Sequence, residues 1–302
     1  VVMLPTDYKN DQIIMSSFSP GGNSVYSDDK LIPASYAATI IDQSGLGNFT
    51  NSQLGKKLKG ENVSCTPGIG ELTEGISGNS TPKDVETMLE LTYLFFKAPR
   101  KDPETFERIT NNLKTQIRLM DANPQVAFFK KIFSSAYPNS RRIAKMYPTV
   151  EDIDKMTLDE IYGIYTDRFA DASDFTFFFV VNFDIDTLLP LVQKYIGNLP
   201  STYRSENWVD RSTPFVNAKV NEVVEKGVDK QGKLVILKEM NYHWDDQEIV
   251  KISALSKTLE ITVREIIREK IGGTYSPYVN ISVDKLPSPK LTLIAMIDLD
   301  PD

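Results

Sequence analysis

Cysteine and histidine are almost absent: each occurs once in 302 residues, as Cys65 and His243. A single cysteine forbids an intrachain disulfide and a cysteine-built metal cluster, and it leaves the compartment open. A single histidine cannot supply the several imidazoles of many zinc sites. No apolar run reaches the ~20 residues that span a bilayer, so no transmembrane segment is expected. The longest run, 175–181, suits a buried strand. A basic excess is missing too, with 34 Lys plus Arg against 41 Asp plus Glu and a net charge of −7. Nucleic-acid binders carry a basic stripe, and no such partner is expected here. The first residues, Val1-Val2-Met3-Leu4-Pro5, have no basic n-region, apolar h-region or cleavage site. They read as a strand within a longer protein, as do residues 293–299, and the chain is expected to be a fragment. Its location stays unknown, with periplasm and cytoplasm both open.

What is present is ordinary for a globular protein: 41% apolar and 25% charged residues, on a length suited to two domains of ~100–200 residues. Strands are expected at 11–18, 61–66, 70–78 and 175–181, the last apolar on both faces. Helical spacing marks 31–42 and 52–58. Thr81-Pro82-Lys83-Asp84 reads as an N-cap with proline in the first turn of a helix to 96. Further helices are expected from Asp102-Pro103 and from Pro124, from the capped starts at Thr149 and Thr157, and over 186–196. Residues 198–215 are polar and punctuated by proline, which places a domain boundary there. Beyond it come strands near 219–225 and 233–239, a helix over 245–270, and strands near 274–283 and 290–298. Strands, helix, then strands is an α+β pattern, with helices covering one face of a mostly antiparallel sheet. The expected domains are 1–205 and 212–302.

Most candidate chemistry has a bland reading. His243 has no second ligand of the right type at helical spacing; Glu248 comes nearest, and a surface or capping histidine fits better. Cys65 would need a base to act as a nucleophile, and it fits a small buried strand residue. The glycines at 21, 22, 45, 47, 68 and 70 follow no phosphate-loop spacing. The acidic stretch 298–302 reads as a solvated end. One octet stands out, Arg268-Glu-Lys-Ile-Gly-Gly-Thr-Tyr275. On a helix turning ~100° per residue, Ile252, Leu255, Leu259, Val263 and Ile266 form one stripe, with Lys257, Arg264 and Arg268 opposite. Gly272-Gly273 ends the helix and lets another backbone approach. Tyr275 then enters a strand, near enough to Arg268 for both tips to meet one ligand. The alternative is a cationic last turn favoured by the helix dipole and a tyrosine packed on a sheet. A faint repeat sets residues 54–64 against 266–276, with Lys56 opposite Arg268 and Val63 opposite Tyr275.

At these residues the chain resembles the pitrilysin and insulin-degrading-enzyme family of zinc metallopeptidases, the inverzincins. The likeness runs through Ser19-Pro20-Gly21-Gly22, Ala98-Pro-Arg-Lys-Asp-Pro-Glu-Thr-Phe106, Phe179-Val-Val-Asn-Phe-Asp-Ile-Asp186, Leu188 to Pro200 and the octet itself. It implies two homologous α+β domains, mitochondrial-processing-peptidase-like, each a mostly antiparallel sheet with helices on one face. The second would be truncated, with its final helices following Asp302. In the family one half carries His-x-x-Glu-His and the zinc; this chain has no such motif. The resemblance therefore implies the zinc-less C-terminal half. It would have no catalytic or metal residue of its own and would be inactive alone. Arg268 and Tyr275, with Gly272 and Gly273, match the substrate-binding positions. Zinc would be held by the missing N-terminal half or a partner subunit, and a peptide would be the substrate. A catalytically inactive homologue serving as an architectural or peptide-binding subunit is the alternative.

Overall fold

The computed structural model describes residues 1–216, 218–220, 223–227, 232–267, 269 and 277–299. The chain divides into two compact units. Unit 1 is Val1–Met120 with Lys145–Arg211; unit 2 is Asp121–Ala144 with Ser212–Asp302. The chain thus passes between units near residue 211, and the helical segment 121–144 groups with unit 2.

Unit 1 holds a sheet of β1 (Val2–Pro5), β2 (Ile13–Pro20), β3 (Val63–Ile69), β4 (Thr73–Ser80) and β5 (Thr176–Val181). Their order is β1-β5-β2-β4-β3, antiparallel except for the parallel β1/β5 pair. Strand alternation sends Ile13, Met15, Ile76, Phe177 and Phe179 inward. There they meet helices α1 (Leu31–Ser44), α3 (Val85–Lys97) and α8 (Leu158–Arg168), which bury Ile40, Ile41, Met88, Leu89, Ile161 and Tyr165. The expectation that β5 is apolar and covered on both faces needs correction. Phe177, Phe179 and Val181 are buried, while Thr176, Phe178 and Val180 stay partly open because the helices cover only one side.

Several helix starts follow their sequence signals. Thr149 and Asp152 form a reciprocal capping box opening α7 (Val150–Asp154), and Thr157 caps α8. The cap expected at Thr81 is different. Helix α3 begins only at Val85, because Thr81 and Asp84 hydrogen-bond each other and Asp84 also accepts from Asn62 N–H. That closes a turn before the helix opens. Helices α2 (Asn51–Lys57), α4 (Pro103–Ala122) and α9 (Ile185–Tyr195) complete unit 1 with α7.

Unit 2 contains α5 (Pro124–Ala136), α6 (Arg141–Ala144), the long α10 (Asp246–Ile266) and a sheet of β6 (Gly232–Asn241), β7 (Tyr278–Asp284) and β8 (Lys290–Leu299). The order is β6-β8-β7, antiparallel throughout. Helix α5 is fastened to this sheet where Glu239 accepts from the Tyr137 hydroxyl and from Lys290, each at 2.8 Å. The strand expected near 219–225 does not form in its described residues, 219–220 and 223–225. Nearby donors are taken outside any strand ladder, Val216 N–H by Ala136 O at the end of α5, and Ala218 N–H and Lys226 N–H locally by Val216 O and Val224 O. Asp298, the start of the acidic stretch expected to be solvated, is exposed as expected, but it lies in β8 and pairs with Lys233 of β6; residues 300–302 lie outside the described residues.

Candidate functional site at the end of helix α10

The sequence directs attention to the corner between α10 and β7. Asp245 opens the helix, its carboxylate accepting from Gln247 N–H at 2.8 Å. Acidic residues in the first turn complement the helix dipole there. Along its length α10 is set on β7 by one buried polar contact: the hydroxyl of Ser256 accepts from Ile281 N–H at 2.9 Å. This satisfies a strand N–H that would otherwise lack a partner. It also fixes which side of the helix faces inward.

That side is not the stripe expected from sequence. Ile252, Leu259 and Val263 do turn inward, together with Ser256 and Ile267. Leu255 and Ile266 do not, remaining 51% and 44% exposed. At ~100° per residue they lie ~80–100° round the helix from Ser256, and the serine marks the centre of the contact. Arg264 and Lys257, expected on the opposite side, both bind Glu260, at 2.8 and 3.1 Å.

The corner is bounded by two buried residues, Ile267 at the close of the helix and Val279 in β7. The four expected site residues, Arg268, Gly272, Gly273 and Tyr275, lie outside the described residues.

The other candidates resolve plainly. His243 is exposed beside Trp244, whose ring carries Lys285 at 5.2 Å. Burial pushes the Cys65 thiol up to about 12, despite the Thr92 hydroxyl 3.4 Å away. It is therefore not a thiolate nucleophile at neutral pH. Among the described residues no group of three or more His, Cys, Asp and Glu is placed to hold a metal ion. No described helix is long and apolar enough to cross a membrane.

Sequence reasoning missed a charged cluster in unit 1. Arg168 is only 2% exposed and binds Asp167 and Glu206, each at 2.7 Å, with buried Glu74 at 3.7 Å. Burial raises the Glu74 carboxyl to about 7, against the opposing pull of Gly22 N–H and Arg168. This explains the Ser-Pro-Gly-Gly turn. A Cβ on Gly22, at φ +61°, would stand 2.5 Å from Gly70 O, so only glycine lets its N–H reach Glu74. Nearby, Asp171 accepts from Ser173, Thr202 and Arg204 N–H. Burial works against ionisation there, yet these hydrogen bonds outweigh it and hold the carboxyl well below its usual range. The signal available in sequence was an arginine at the end of an otherwise apolar helix face.

Residues 155–298 match the family described as Peptidase M16 inactive domain. The probable zinc protease PqqL of Haemophilus influenzae is 21% identical over 243 residues, covering 80% of this chain and 25% of that protein. The zinc protease PQQL-like of Arabidopsis thaliana is 23% identical over 286 residues, covering 91% of this chain and 27% of its own length. Among solved structures, the periplasmic protease PqqL of Escherichia coli superposes with a TM-score of 0.85 at 16% identity, over 97% of this chain and 32% of that one. The peptidase M16 inactive domain from Pseudomonas fluorescens gives 0.72 at 13% identity, over 98% and 71%. At such identities the solved structures establish the α+β fold.

Residues 155–298 thus resemble the part of the peptidase M16 family that is described as inactive. It spans about a quarter of the length of the curated relatives it matches.

Proposed function

We propose that this chain is the zinc-less C-terminal half of a zinc metallopeptidase, closing a chamber around a peptide that the other half cleaves. The observation that carries this reading is the matched segment 155–298, whose sequence between α10 and β7 holds Arg268 and Tyr275. The fixed cation and the phenol bind the peptide backbone and stabilise charge developing on its carbonyl oxygen. Gly272 and Gly273 allow close approach of that backbone. The relatives are named zinc proteases, but one histidine and one cysteine do not fit a zinc site here. The metal belongs to the N-terminal half or a partner subunit. Domains 1–205 and 212–302 would be the two α+β modules of this half.

The test is steady-state kinetics of the full-length protein on an unfolded peptide. Arg268→Ala and Tyr275→Phe are each expected to lower kcat/KM by about 10–1000-fold, with zinc content and thermal unfolding unchanged. Unaltered kinetics in both variants would remove the role and favour an architectural subunit.

A further inference from the structure

We infer that the polar strap 202–211 is a releasable latch, docked on the rest of unit 1 through a buried ion cluster and let go when Glu74 loses its proton. This goes beyond the peptide-binding reading and does not rest on it. The strap forms no helix or strand, and none of its residues joins the large apolar core. It is held at three places, all polar. Asp171 accepts from Thr202 N–H at 2.9 Å and from Arg204 N–H at 2.8 Å. In the middle, Glu206 meets Arg168 with both oxygens, at 2.7 and 3.1 Å, and Arg204 meets Asp167 at 3.1 Å. At the far end Val209 N–H donates to Ser24 Oγ at 3.0 Å and Arg211 Nε to Ser24 O at 2.9 Å. Between the two hydrogen bonds to Asp171, Tyr203 sits at φ +58°, a left-handed backbone unfavourable for a residue other than glycine. The docked strap thus holds strain that undocking relieves.

Glu74 touches the middle and far anchors at once. Its Oε2 accepts from Gly22 N–H, in the turn that carries Ser24. Its Oε1 stands 3.7 Å from Arg168 Nη1, the same nitrogen that Glu206 Oε2 meets at 2.7 Å. The charged groups facing Glu74 are Arg168 from α8, Glu206 from the strap and Asp174 from the segment before β5. Asp167 and the Tyr26 hydroxyl face the same guanidinium from other sides. Four carboxylates therefore gather around the two guanidiniums of Arg168 and Arg204.

While Glu74 is protonated, Arg168 is left to Glu206 and Asp167. Once ionised, Glu74 competes for Nη1 and repels Glu206. The strap is what yields, because Glu74 and Arg168 are fixed in β4 and α8. Burial, with the nearby Glu206 and Asp174 carboxylates, raises Glu74 to about 7 against the pull of Gly22 N–H and Arg168. Undocking removes Glu206 and admits water, both of which favour the ionised form. Protonation therefore favours the docked strap, and rising pH favours release. Asp171 and Asp167 are held below the usual carboxylate range by their hydrogen bonds, and stay ionised throughout. The strap is the last stretch of unit 1 before the chain passes to unit 2 at Ser212, so release lengthens that connection.

The experiment is hydrogen exchange of the full-length protein at pH 6, 7 and 8, read by mass spectrometry on peptides covering the strap and corrected for the intrinsic exchange rate. Protection of the strap is expected to fall by about tenfold from pH 6 to pH 8, while peptides from β2, β5 and α8 keep theirs. Glu74→Gln keeps a neutral acceptor for Gly22 N–H, and should leave the strap docked and abolish the fall. Glu206→Gln, on the strap itself, removes the rival for Nη1. It should lower protection at pH 6 and reduce the fall to less than about threefold. A wild-type strap indifferent to pH, a fall that persists in Glu74→Gln, or a loss shared by the core peptides overturns the proposal. If Glu74→Gln loses its native circular dichroism, Glu206→Gln decides, and an undiminished fall in that variant overturns the latch as well.

Discussion

The two units bury their apolar residues very differently. Every member of the large apolar core, including Ile13, Ile41, Phe95 and Phe179, lies in unit 1. In unit 2 the buried side chains among the described residues are few, chiefly Ala136, Ser256, Ile267 and Val279. Its sheet and helix are as amphipathic in sequence, yet Leu234, Ile236 and Met240 of β6 and Leu255 of α10 remain exposed. Periodicity marks which residues share a face. Whether the face is covered depends on another element arriving opposite it, and unit 1 has several helices for one sheet.

This contrast can be broken most sharply by paired truncations. Phe179→Ala removes a fully buried ring from the β5 centre and should cost about 3–5 kcal/mol of unit 1 stability. Leu255→Ala, on a half-open face, should cost less than about 1 kcal/mol. Denaturant unfolding with hydrogen exchange read separately in the two units checks both; equal costs would mean that the exposure of α10 is misjudged.

The polar chain between the units sharpens the contrast further. Residues 202–211 carry no helix or strand, yet unit 1 holds them through Asp171, Arg168 and Ser24, the last bonding Val209 N–H and the Arg211 guanidinium. Asp171→Ala strands three backbone donors and should cost about 1–3 kcal/mol. Faster amide exchange at 202–204 should accompany it, with unit 2 amides unchanged.

A more modest effect than the Phe179 truncation is a pH dependence confined to unit 1. Glu74 titrates at about 7 when folded, against an ordinary 4.5. The folded state therefore holds its proton more tightly than the unfolded one. The stabilisation is complete below about pH 4.5 and is lost as pH rises through about 7. Glu74→Gln should flatten that decline by on the order of 1–2 kcal/mol, measured as Tm against pH. A slope unchanged by the substitution would place the titrating group elsewhere.

Much of the fold was legible. The apolar run of 175–181, the threonine caps at 149 and 157, and the helix from Asp245 are local signals, and each element formed close to its expected bounds. The candidate corner was legible as residue types at a spacing. The rotation of α10 was not, since it is decided by Ser256 meeting a strand N–H 25 residues away. Thr81 failed as a cap for a related reason, its partner Asp84 being engaged by Asn62 from another segment.

The sequence by itself determined the class of elements, their order, the lack of a metal-binding histidine set, and the resemblance that the family match bore out. These rest on covalent order and short-range preferences, which a chain carries before it folds. Only the tertiary structure decided that β1 closes the sheet in parallel beside β5, that helix 124–136 groups with unit 2, and that Arg168 is buried under the polar strap. Those outcomes depend on pairings between distant segments, whose energies arise only once both partners are in place.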